Sequence, residues 1–174
     1  MLFRSIAGSG KEGVIFLLDA NKPGGDDHKT PLYRSPVLAN EEVNFFARGF
    51  WGSLTTYEDE EGTRWLLAPA WGPVAKSSPK FEHSYGETSH GSIMAFKVVE
   101  KEGKPALEAA WVSRNMAYPE PPVVANGVVF ALANGANEGQ VDNAGNGYTT
   151  EYRATHPEGN AILYAFDEIG RAHV

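Results

Sequence analysis

The chain contains no cysteine. Disulfide bonds, cysteine-based zinc sites and thiol catalysis are thereby excluded, and such a chain suits either side of a bacterial inner membrane. No apolar run approaches the roughly 18 residues that span a bilayer, so no transmembrane segment is expected. Positive charge is in deficit. The 15 Lys and Arg face 22 Asp and Glu, for a net charge of -7 and a pI near 5.2. That balance excludes nucleic-acid binding by bulk electrostatics. Helical periodicity is missing as well: no stretch of about 11 or more positions keeps a 3.6-residue apolar spacing. The first residues, Met1 to Ser5, lack a basic segment followed by an apolar one, so no signal peptide is read in this chain.

What the chain has in quantity is glycine (19) and proline (11). Together they make up roughly one residue in six, a composition that turns often. Hydrophobic residues at 42% of 174 positions suffice for a core and argue against disorder throughout.

The apolar segments are short and lie between turn signals. Gly13 to Asp19 (GVIFLLD), Arg64 to Pro69 (RWLLAP), Gly91 to Val99 (GSIMAFKVV) and Ala161 to Asp167 (AILYAFD) read as buried strands. Asn126-Gly127 stands between two β-branched runs and supplies the positive φ angles of a two-residue hairpin. Gly62 closes a looser hairpin, and Lys101 to Lys104 a third. Lys22 to Thr30, Pro73 to His90 and Asn134 to Asn160 are polar and read as loops.

The strands repeat. Ile15 to Asp19, Ile93 to Lys97 and Leu163 to Asp167 each close on a bulky apolar residue followed by a polar one. The interval from Leu18 to Phe96 is 78 positions and from Phe96 to Phe166 is 70. A small-residue/Gly step recurs at Ala70-Trp71-Gly72 and Ala133-Asn134-Gly135, 63 positions apart. Four short antiparallel strands per period is the layout of a β-propeller blade. The expected fold is therefore all-β: a partial β-propeller of about two and a half four-stranded antiparallel blades. Residues 1–47 would end one blade, 48–113 form a complete blade and 114–174 an incomplete one lacking its outermost strand.

Pro119 to Ala131 (PEPPVVANGVVFA) and Ile162 to Asp167 (ILYAFD) resemble the repeat of the quinoprotein-type propellers, the pyrroloquinoline-quinone (PQQ) repeat proteins. Gly13 to Ala20 and Ser92 to Lys97 are similar to the same strand, and Trp111 sits where that family has an outer-strand Trp. The family's Thr-Gly-Lys turn is absent after Lys97 and after Asp167, so the repeat is degenerate. The resemblance implies a propeller that is either a cofactor-free scaffold or part of a PQQ- and calcium-dependent dehydrogenase of alcohols or sugars. It also implies a bacterial protein in the periplasm or secreted. A small β-sandwich binding module is the further alternative, and whether the chain is an enzyme stays open.

A quinone site needs an Arg toward anionic oxygens, an aromatic platform, oxygen ligands for a cation and a carboxylate base. The segments entering innermost strands, Phe46 to Gly52 and Arg114 to Glu120, bring Arg48, Trp51, Arg114 and Asn115 as candidate cofactor-binding residues, with Glu120 beside them. Their alternative role is bracing one blade on the next. Glu82, His83, Glu87 and His90 suggest a metal cluster but stand in a loop without fixed spacing, so no metal site is expected. Ser89-His90-Gly91 marks a strand entrance. Asp142 to Gly147 (DNAGNG) resembles a calcium loop without its closing Glu. Ala7 to Glu12 (AGSGKE) imitates a phosphate loop but has Ser5 where the first Gly belongs and Glu12 after the Lys, which would repel phosphate. The expected partners are the remaining blades of a larger ring or other copies of the chain.

Overall fold

The computed structural model describes residues 4–45, 48–136, 141–142, 144–157, 159–167 and 169–173. Phe46 and Ala47, at the head of one candidate segment, and Asn143 of the calcium-like turn lie outside them.

The protein is all-β, in three sheets of consecutive strands. Sheet 1 holds β1 (Ser5–Ser9), β2 (Ile15–Asp19) and β3 (Tyr33–Arg34), in that order. Sheet 2 holds β4 (Gly49–Phe50), β5 (Thr55–Glu58), β6 (Arg64–Trp71), β7 (His83–Ser84), β8 (Gly91–Lys101) and β9 (Lys104–Val112). Its order is β4-β6-β8-β9-β7, with β5 following β4 along the same side of β6. Sheet 3 runs β10 (Val123–Ala125), β11 (Val128–Ala133), β12 (Ile162–Phe166) and β13 (Ala172–His173). Every pairing is antiparallel except that of β7 with β9.

Local chemistry accounts for the turns. Asn126 and Gly127 take φ of 50° and 75°, and Glu102 and Gly103 take 52° and 75°. Two successive positive φ values twist the chain in the sense that adjacent strands need. Wider turns use an aspartate. Asp59, Asp142 and Asp167 each accept, through Oδ1, the backbone N–H four residues on at 2.8 Å. In each turn a glycine three residues on donates its N–H back to the aspartate carbonyl at 3.0 Å.

Four features differ from the sequence reading. Ser5–Ser9, which carries no strand signal in the sequence, is a strand paired antiparallel along β2. The polar stretch 73–90 contributes β7 and the buried Phe81, whose ring meets Phe96 at 5.5 Å. The stretch 134–160 carries a short helix, α1 (Thr150–Thr155), capped by the Thr149 side chain accepting from the Tyr152 N–H. β13 supplies two residues of a fourth strand in sheet 3, paired with Ala165 and Phe166.

The sheets stack face to face with sheet 2 in the middle. One core joins Ile15, Leu17 and Leu38 of the first segment to Leu66, Ala68, Met94 and Phe96 of sheet 2. The other joins Trp65, Leu67, Ile93 and Trp111 to Val129, Ala131, Tyr164 and Phe166 of sheet 3. Alternate residues of β6 and β8 thus serve opposite cores, as the two-residue period of a strand dictates. A bulge keeps β9 in step. Phe96 lies opposite Ala109 and Ala95 opposite Trp111, which leaves Ala110 as the extra residue. The insertion turns Trp111 to the face opposite Ala109 and into the second core.

The interval of 78 recurs in the hydrogen bonding. Ile15 N–H donates to Ser35 Oγ, and Ile93 N–H to Ser113 Oγ, both at 2.9 Å. Leu38 N–H reaches the Gly13 carbonyl, and Met116 N–H the Gly91 carbonyl.

Candidate functional site

The end of β6, the start of β8 and the segment 113–120 converge at one end of the stack. Trp71 closes β6 and is buried, its Nε1–H donating to the Pro119 carbonyl at 3.1 Å. Trp51 stacks on it with centroids 4.9 Å apart and planes 13° apart. Tyr118 meets Trp71 edge-on at 4.8 Å, and His90 meets Tyr118 at 6.2 Å. This aromatic row is offset-stacked and edge-to-face, the arrangements that ring quadrupoles favour.

Charged groups border it. The Lys11 ammonium stands 3.7 Å from the Trp51 centroid, on a cation–π contact. Arg48 pairs with Glu42 at 2.6 Å, and its methylenes fill the space beside Gly72, where a Cβ would lie 2.8 Å from Arg48 Cγ. A cavity of about 270 Å³ opens between Trp51, Gly52, Trp71, Pro119, Glu120 and Arg153 of α1. Glu120 accepts from Asn134 Nδ2 at 2.6 Å.

Of the candidate residues, Arg48, Trp51 and Glu120 come together here. Asn115 lies one step away, with Oδ1 accepting the Ser89 and His90 backbone N–H groups at 2.9 and 3.0 Å. His90 Nδ1 stands 2.9 Å from Ser89 Oγ and 3.2 Å from Asn115 Nδ2. Arg114 is turned away, its guanidinium 5.6 Å from the Tyr164 ring on sheet 3. Each candidate side chain already has a partner within the chain. Trp51 carries Trp71 stacked at 4.9 Å and the Lys11 ammonium 3.7 Å from its centroid. Asn115 is engaged in closing the turn at His90, and Arg48 in a pair with Glu42.

The remaining candidates are local structure. His83 Nε2 stands 3.7 Å from its neighbour Glu82, and no group of three His, Asp or Glu converges as a metal site among the described residues. Asp142 accepts from Asn146 Nδ2 and from two turn N–H groups, and the Asn146 side chain leads in holding its carboxyl below the usual range.

Sequence reasoning misses Lys11, Trp71, Tyr118 and Arg153. Only Trp71 carries a signal, as part of the Ala70-Trp71-Gly72 step. A larger hollow of about 830 Å³ lies away from these residues, flanked by Ser5 and Ala7 of β1, Tyr57 of β5 and Leu66 of β6. It adjoins the side of β1 where sheets 2 and 3 carry β5 and β10 beside the equivalent strands. Its lining is mixed: Leu17, Leu54, Leu66 and Val98 stand beside the Arg64–Glu58 ion pair, 3.2 Å apart, and Glu100. Comparison with family models, with curated proteins and with solved structures finds no match to this chain.

Proposed function

We infer that the chain is a run of consecutive quinoprotein-like propeller blades that serves as a binding scaffold and carries no quinone of its own. The observation that carries this reading is the engagement of Trp51 within the chain, with Trp71 stacked on it and the Lys11 ammonium 3.7 Å from its centroid. The repeat of 78 supports the blade assignment, as does the stacking of sheets of consecutive strands. A two-sheet sandwich would divide the strands of one group between sheets, and here each group keeps its own. The sequence resemblance would suit a scaffold in the bacterial periplasm or outside the cell.

A second reading, part of a PQQ- and calcium-dependent dehydrogenase, draws on one observation. Glu120 and Arg153 border the same cavity as Trp51 and Trp71 and supply a carboxylate and a guanidinium. Titration of the chain with PQQ and calcium separates the two readings. We expect neither saturable quenching of tryptophan emission nor quinone-dependent reduction of an artificial electron acceptor. Saturable binding that Trp51→Ala weakens would overturn the scaffold reading.

A further inference from the structure

The three sheets share one register on each face. Cross-strand pairs Ile6–Leu18, Leu66–Phe96 and Val129–Phe166 hold one place, and Gly8–Phe16, Ala68–Met94 and Ala131–Tyr164 the next. A small residue thus sits between larger ones on this first face of every sheet. In sheet 2 the face is buried under sheet 1, and in sheet 3 it is buried under sheet 2. In sheet 1 it is uncovered. Ile6 is 48% exposed, and Phe16 and Leu18 are partly exposed.

The second faces align in the same way. Ala7–Leu17, Leu67–Ala95 and Phe130–Ala165 are equivalent, as are Ser9–Ile15, Pro69–Ile93 and Leu132–Leu163. Sheet 2 covers this face of sheet 1, and sheet 3 covers it in sheet 2, where Leu67, Ile93 and Ala95 are fully buried. In sheet 3 it is open. Leu163 is 64% exposed, and Val123 beside Phe130 is 63% exposed. Contiguous apolar surface of this kind marks an interface.

The stack therefore ends in two unlike apolar faces, and the molecule itself contains two examples of how such faces fit. We propose that a second copy of this chain seats the open face of its sheet 1 on the open face of sheet 3, head to tail. Ile6, Gly8, Phe16 and Leu18 of the second copy take the places that Val129, Ala131, Tyr164 and Phe166 hold against sheet 2. The occupant is a copy because its free face follows the register that sheet 3 is built to receive. Arg34, opposite Phe16 on that face, lies over its ring with the guanidinium 5.8 Å from the centroid. Such an interface is heterologous. Each added copy presents a fresh face, and growth stops only where a ring closes. The inference rests on the repeat reading above.

Sedimentation of the whole chain over a range of concentrations tests it. The expected mass rises at least about twofold above 18.9 kDa. Leu163→Glu and Ile6→Glu, both at exposed positions, should each return the mass to that of one chain with an unchanged circular dichroism spectrum. Mixed in equal amounts, the two variants should form a dimer and nothing larger, because each keeps the face that the other lacks. A wild-type chain that stays single at high micromolar concentration overturns the proposal. So does a mixture that stays single. Dissociation by Leu163→Glu with no effect of Ile6→Glu would mean symmetric pairing of sheet 3 faces and overturns it too. The quinone titration reads the scaffold assignment separately, so a single chain that binds no quinone ends the docking proposal alone.

Discussion

Gly170 lies flat against the indole of Trp111: a Cβ at position 170 would stand 2.4 Å from Trp111 Cε3. The glycine also takes φ of 82°, which L side chains avoid. Strand β9 of sheet 2 is thereby locked onto the β12–β13 turn of sheet 3. Gly170→Ala should destabilise the fold by about 2–3 kcal/mol, from overpacking and backbone strain together. Urea denaturation followed by tryptophan emission measures this, and an unchanged midpoint would show that the indole is free to move aside.

Trp111 itself offers a paired test. Its Nε1 is buried without a hydrogen-bond partner among the described residues. Trp111→Phe removes that unmet donor and should cost less than about 1.5 kcal/mol. Trp111→Ala empties the second core and should cost about 3–5 kcal/mol. Equal losses for the two variants would contradict this account of the site.

Much of this architecture is written in short range. Asn126-Gly127 announces its hairpin because few residue pairs accept two successive positive φ angles. The strands around Ile15, Ile93 and Leu163 announce themselves by apolar runs ending on a polar residue. Ser5–Ser9 does not, since Ala7-Gly8-Ser9 has neither alternation nor bulk, and pairing with β2 decides its conformation. Six residues of α1 are too few for a period to show. The aromatic row is the least legible part. Trp51, Trp71 and Tyr118 come from separate segments, and Lys11 arrives from the turn before β2. The pairing of β4 with β6 brings Trp51 to Trp71, and tertiary packing adds Tyr118 and Lys11, which no spacing in the chain encodes.

Ser35 and Ser113 should behave as twins. Both are buried, and each hydroxyl accepts an isoleucine N–H at a strand start. Alanine at either position leaves that N–H without its acceptor and should cost about 1–3 kcal/mol. The two sites share no partner, so the double variant should show the combined loss within about 0.5 kcal/mol. Denaturant midpoints of the three variants check both statements.

Acid should weaken the turns. Asp59 accepts from Trp65 Nε1 at 2.8 Å, and that bond, with the turn N–H groups, holds its carboxyl below the ordinary 3.8. The unfolded chain takes up this proton at higher pH than the folded one. The stabilisation is therefore complete well above 3.8 and is lost as pH falls through the lower folded value. Asp142 shifts in the same direction through Asn146, and Asp27 through Thr30. Urea midpoints between about pH 6 and pH 2.5 should fall for the wild type and fall less steeply for Asp59→Asn.

The strand β7 sets the geometry of growth. By running parallel along β9, residues His83–Ser84 occupy part of the rim that β9 would otherwise present as free amides and carbonyls. Attachment there is blunted, while the broad surfaces at the two ends of the stack stay open. On the stacking of copies proposed above, growth would run along one axis, like coins in a column, rather than as a sideways ribbon.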